Sequence, residues 1–255
     1  MGSMRATRMG RVIFAVSFAG FGLLCLVSSD FELLWKLFPA LAPWGKVVAC
    51  ASGVTLFAGG LGMLVPRAAR LGTLVVTANV SLQLLLLGVP RVGAHPLTEV
   101  LWLNFGQNLM MVTGGWTLLA GSATDARSAR LARALYALAL PMVGLSHFVY
   151  VKAAVAAVPA WLPCRTGFAF LAGAGHIAAG LGVLFGVLPR LAATAEAAMI
   201  SVFLVLVSVP GVVASPATRE PWLEFFITAM CAGAAWVIAG SLRDAAWGLA
   251  RQTEG

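Results

Sequence analysis

Charge is what this chain has least of. Of its 255 residues, only 10% are Asp, Glu, Lys or Arg, while 60% are hydrophobic. A soluble globular domain carries about 25% charged residues, so this chain is too poor in charge to cover a water-facing surface. Lipid must be the solvent for most of it, and backbone groups in lipid must be paired inside helices or a closed barrel. The apolar runs are roughly 17–22 residues long and do not alternate with period two, which favours helices over a barrel. Cysteine is also scarce. Cys25, Cys50, Cys164 and Cys231 form no C-x-x-C pair and lie scattered among apolar residues, as packing residues do, so neither a disulfide framework nor a metal site is expected. Phosphate-binding loops, a Ser-His-Asp order, H-E-x-x-H and a Rossmann glycine pattern are absent as well, which removes the motifs of a self-contained soluble-type enzyme. The formal net charge of +8 does not make a nucleic-acid surface, because the basic residues sit singly or in short clusters between apolar spans.

What is present reads as an all-α, polytopic membrane protein with eight transmembrane helices. The expected spans are 12–29, 47–65, 71–90, 99–120, 134–151, 167–187, 191–212 and 222–241. Pro and Arg mark turns at Val65–Arg70, Val89–Pro96, Leu188–Arg190 and Val209–Pro216. The opening segment, with Arg5, Arg8 and Arg11, has the charged start of a signal peptide. Its apolar run is as long as a span and lacks a small-x-small cleavage site, so a retained first helix is expected. With the N-terminus inside, eleven basic residues fall on the inner side and six on the outer side. That excess predicts cytoplasmic termini and a multi-pass protein of a bacterial inner membrane.

The sequence repeats itself at a shift of 120 residues. Val89-Pro-x-Val-x-Ala-x-Pro96 falls on Val209-Pro-x-Val-x-Ala-x-Pro216, and Trp102-Leu-x-Phe105 falls on Trp222-Leu-x-Phe225. Gly60-Leu-Gly62 falls on Gly180-Leu-Gly182, Pro39–Pro43 on Pro159–Pro163, and Trp116 on Trp236. Two tandem four-helix units follow, at 12–120 and 134–241, joined by a basic cytoplasmic linker at 121–133 that carries Arg127, Arg130 and Arg133. Each unit has an even number of spans, so the repeat is parallel and not inverted.

Few residues remain that could carry chemistry. His147 lies near the outer end of the fifth span. His176 lies about ten residues into the sixth, roughly 15 Å deep at 1.5 Å per residue. Glu224 opens the eighth span. Ionisable groups at membrane depth are costly and face the bundle interior beside a partner. These three are the candidates for a ligand site or proton relay toward a quinone-like headgroup, set against a plain interhelical role in which Glu224 pairs with Arg219 or Lys152. Their spacing matches no metal motif. Asn79 and Gln83 share one face of the third span, and Asn104, Gln107 and Asn108 cluster on the fourth. These five amides read as interhelical glue, with a polar ligand lining as the alternative. The segments Phe31–Trp44 and Val151–Pro163 are too short to span and suit the outer interface. Glycines at 53, 59, 60, 62, 173, 175, 180 and 182 allow close helix packing.

Several of these residues carry a resemblance. Gly144-Leu-Ser-His-Phe148, Val158-Pro-Ala-Trp-Leu-Pro163, Gly173-x-x-His-Ile-Ala-Ala-Gly-Leu-Gly182 and Trp222-x-Glu224 resemble the DoxX-like family of bacterial membrane proteins, over 143–241 and more weakly over 21–122. The resemblance implies a compact four-helix membrane unit, here fused in tandem. It also implies kinship with membrane subunits linked to quinone and with membrane partners of redox enzymes, so the expected partners are the lipid bilayer and a membrane or periplasmic redox protein. The first half departs from the pattern, with Leu56 at the position of His176 and Asn104 at that of Glu224. A site that needs those groups belongs to the second half. Three classes of function follow: a membrane subunit or anchor of a redox system that contacts quinone, a small-molecule carrier, and an assembly protein without a ligand.

Overall fold

The structure is a computed structural model that describes residues 2–28, 45–121 and 126–245. Among these residues it is all-helical, with no strand. The helices are α1 (Gly2–Ser28), α2 (Gly45–Leu64), α3 (Ala69–Ala94), α4 (Glu99–Gly121), α5 (Ala126–Val149), the short α6 (Val151–Ala157), α7 (Arg165–Phe185), α8 (Pro189–Ala214) and α9 (Arg219–Ser241). Seven of the eight long helices have the length and hydropathy to cross a membrane. The other is α4, where Glu99, Asn104, Gln107 and Asn108 interrupt a 23-residue helix. Large apolar side chains remain on the outside, among them Leu71, Leu85, Leu171 and Val205. Such a surface is tolerable only against lipid or a partner. The protein is therefore a helical integral membrane protein.

Neighbouring helices pack in the order α1, α2, α3, α4, α5, α7, α8, α9 and back to α1, while α4 also packs across on α9. The heaviest contacts are α1 on α9 and α4 on α5, so the two sequence halves interlock. Helix α9 is the central post, with 67% of its span buried, against 17% for α8 at the rim. Glycines make the tight crossings. A methyl group on Gly233 of α9 would sit 2.6 Å from the Phe14 backbone nitrogen of α1. One on Gly144 of α5 would sit 2.6 Å from the Gly173 carbonyl oxygen of α7.

Several element boundaries differ from the sequence expectation. Val89–Pro96 and Val209–Pro216 were expected to be turns, yet α3 and α8 run through Pro90 and Pro210 to Ala94 and Ala214. Proline removes one helical hydrogen bond and its ring crowds the carbonyl four residues back. Here the preceding turn widens instead. Residues Leu84–Gly88 and Leu204–Ser208 are π-helical, with Val89 N–H donating to Leu84 O and Val209 N–H to Leu204 O, each five residues back. The reversal comes later, where Trp102 Nε1 donates to Pro96 O at 2.8 Å and Trp222 Nε1 to Pro216 O at 2.9 Å. The stretch expected as a linker at 121–133 is helical from Ala126 onward, so Arg127, Arg130 and Arg133 ride the first turns of α5. Arg133 there donates to Ser241 O at the end of α9, 3.2 Å away. Cations at a helix C-terminus satisfy its free carbonyls. Helix α1 begins well before residue 12. The Phe31–Trp44 segment lies outside the described residues. In Val151–Pro163, α6 is followed by Arg165, whose guanidinium donates to the carbonyls of Val155 and Val158 at 2.7 and 2.9 Å.

Candidate functional site

The α7–α8 hairpin turns at Gly186, which takes the left-handed conformation at φ 71° that glycine adopts without cost. Residues equally far from the turn meet across an antiparallel hairpin. His176 and Glu196 are each ten residues from Gly186 (186 − 176 = 196 − 186), and they do meet. His176 Nδ1 lies 2.7 Å from Glu196 Oε1, with the residues only 3% and 1% exposed. That length is typical of a charge-assisted hydrogen bond. The edge of Phe203 closes one side of the imidazole, its ring centre 6.1 Å away. The His147 ring on α5 lies 5.4 Å from the His176 ring and is half-buried. Tyr136 and Cys231, both buried, lie within electrostatic reach of Glu196.

The cluster is incomplete. Glu196 Oε2 and the Tyr136 hydroxyl are buried and have no hydrogen-bond partner among the described residues. Buried polar atoms are nearly always paired, so these two call for a partner from outside the described side chains, such as a water, a ligand or an ion. No group of three metal-ligating side chains forms among the described residues. Glu196 also lines an open groove of about 620 Å³ between α7 and α8. The groove walls are otherwise apolar, from small residues such as Gly175, Ala178 and Ala192 to large ones such as Leu181, Phe185 and Met199, and Glu196 is the one ionisable residue in them.

A second polar cluster sits in the first half. Gln83 Nε2 donates to Ser52 Oγ at 2.9 Å and to Asn79 Oδ1 at 2.6 Å. Ser52 Oγ donates to the same Asn79 oxygen at 3.0 Å, and Asn79 Nδ2 donates to Thr55 Oγ1 at 2.6 Å. Each amide N–H₂ group of this set thus finds a partner within α2 and α3. Gln83 further lines a cavity of about 100 Å³ together with Asn104, Gln107 and Asn108 of α4.

The chain matches no family model, no curated protein and no solved structure.

Of the residues singled out by sequence, His147 and His176 come together and Glu224 does not join them. Glu224 is exposed on the second turn of α9. The carboxylate beside His176 is Glu196, which sequence reasoning passed over. It was visible as the one carboxylate in the seventh expected span, 191–212, and pairing about the Gly186 turn puts it at the level of His176. The amides do converge: Asn79 holds Gln83, and Gln83 faces the same cavity as Asn104, Gln107 and Asn108.

Proposed function

We propose that the protein is a DoxX-like membrane subunit of a redox system, with eight spans in two tandem four-helix units, both termini in the cytoplasm of a bacterium, and a quinone as its lipid-soluble ligand. In this reading α4 is the eighth span, its polar side chains turned toward the interior cavity instead of lipid. The tandem arrangement is supported by paired features at the same 120-residue shift: the two π-helical turns, the two Trp–Pro hydrogen bonds and the two long α3 and α8 helices.

The observation that carries the reading is the buried His176–Glu196 pair beside a groove open along the rim of the bundle. A quinone headgroup needs protons as it gains electrons, and its tail needs an apolar channel. The groove supplies the channel, and the pair supplies titratable groups at the depth where histidine and carboxylate exchange protons. Protons pass from the pair to the two carbonyl oxygens of the headgroup while a partner redox protein delivers the two electrons, giving the hydroquinone. His147, less buried than His176, returns protons to the pair. A carrier is the second reading, and the amide-lined cavity of the first half is what favours it.

The test is equilibrium binding of decylubiquinone to the full chain in lipid nanodiscs. Glu196→Gln and His176→Leu should each weaken binding by about tenfold, which corresponds to roughly 1.4 kcal/mol. Unchanged binding in both variants, or no binding in the parent protein, removes the quinone reading.

A further inference from the structure

We propose that the first-half cavity is a binding site for a small polar solute that both donates and accepts hydrogen bonds, of the amide or polyol class, separate from the His176–Glu196 pair. The cavity lies among α1, α2, α3, α4 and α9, with a volume of about 100 Å³. That is ample for several waters or for a molecule of a few heavy atoms, since a single water needs only about 10–15 Å³ by this measure.

The hydrogen-bond directions define what fits. Both hydrogens of Gln83 Nε2 are used, one on Ser52 and one on Asn79, so Gln83 offers the cavity only its carbonyl oxygen. Gln83 is 4% exposed, and the network behind it fixes its orientation. On the facing wall, Asn108 Nδ2 spends one hydrogen on the Asn104 carbonyl at 2.9 Å and keeps the other. The Gln107 side-chain amide makes no hydrogen bond among the described residues, so it offers both a donor and an acceptor. A guest must therefore donate to Gln83 and can both donate and accept at α4. Primary amides and polyols do both. Arg91 also lines the cavity and carries donors only, so it calls for an acceptor on the guest and supplies nothing to Gln83.

The backbone is shaped for the same purpose. The π-helical turn Leu84–Gly88 lines the cavity through Leu84, Leu87 and Gly88. Such turns recur at functional sites because they shift side chains off the regular helical face. The second half has the same turn at Leu204–Ser208, with Phe203 in place of Gln83 and Glu224 in place of Asn104. The amide lining is therefore particular to the first half, and a repeated backbone feature alone does not account for it.

Saturation-transfer NMR on the full chain in nanodiscs, with acetamide, glycerol and dimethyl sulfoxide as probes, tests the assignment. Acetamide and glycerol should receive saturation, and dimethyl sulfoxide, which has no hydrogen to donate to Gln83, should not. Gln107→Leu, on the cavity wall and outside the Asn79–Gln83 network, should weaken acetamide by about fivefold, the value of one hydrogen bond near 1 kcal/mol. His176→Leu should leave acetamide binding unchanged, which separates this site from the quinone reading. Equal saturation of dimethyl sulfoxide, no saturation of acetamide, or no effect of Gln107→Leu would each overturn the assignment.

Discussion

Where the α7–α8 hairpin buries His176 against Glu196, the α2–α3 hairpin has the apolar residues Leu56 and Val76, both buried, 120 residues earlier in each case. Nearer the Gly45 end of α2 the polarity reverses. The first hairpin has Ser52, Thr55, Asn79 and Gln83, and the second has Ala172, Gly175, Met199 and Phe203 at the same shift. Each hairpin thus buries one polar cluster, at a different level. Within lipid a polar side chain cannot stand alone, so such residues come as sets or not at all. The two sets differ in completeness. In the amide set the N–H₂ groups of Asn79 and Gln83 each have partners, as expected of interhelical glue. The His–Glu set leaves Glu196 Oε2 and the Tyr136 hydroxyl without a partner among the described residues. That difference is why the proposed chemistry is placed in the second half.

The largest expected effect comes from making the two hairpins alike. His176→Leu alone leaves a buried carboxylate without its partner, and should cost about 3–5 kcal/mol. Adding Glu196→Val writes the first half's own pair into the second hairpin and should recover most of that loss, because apolar replacement of a buried pair is close to neutral. Denaturant unfolding in nanodiscs reads both values, and equal instability of the single and double variants would break the comparison. Next comes helix spacing. Gly144→Leu should wedge α5 from α7 and cost about 1–3 kcal/mol, while separating His147 from His176. Gly93→Leu, with open space around it, should be nearly silent in the same assay. In the first half, Gln83→Leu removes the two hydrogen bonds that Gln83 donates to Ser52 and Asn79 and should cost about 1–3 kcal/mol in the same unfolding assay. The smallest effect belongs to the shared Trp–Pro clasp. Trp222→Phe removes one hydrogen bond of the kind that averages about 0.6 kcal/mol in membranes, and Trp102→Phe should match it within error.

Much of the fold was legible because lipid imposes a simple rule: long apolar runs become helices. The helix positions, the Trp102 and Trp222 correspondence and the close-packing role of Gly173 and Gly180 could all be read from residues. The prolines misled. Pro66 and Pro189 do sit at turns, but Pro90 and Pro210 are absorbed by π-helical turns, an accommodation that a proline's position alone does not announce. The site was half legible. A histidine at mid-membrane depth pointed to His176, but the choice of its partner needed the register of the hairpin. Glu224 shares a helix with residues at the interface, whereas Glu196 shares a turn distance with His176. The interlocking of the halves, with α1 on α9 and α4 on α5, leaves no trace in a one-dimensional pattern.

The central claim is that Glu196, buried beside His176 on the wall of the α7–α8 groove, is a membrane-embedded carboxyl that takes part in proton transfer. Treating the full chain in nanodiscs with the lipid-soluble reagent dicyclohexylcarbodiimide, which couples to protonated carboxyls, and mapping the adduct by mass spectrometry tests this directly. The account expects Glu196 to be modified ahead of Glu99, Glu220 and Glu224, and a quinone analogue to protect it. Modification of Glu224 with Glu196 untouched would contradict the account.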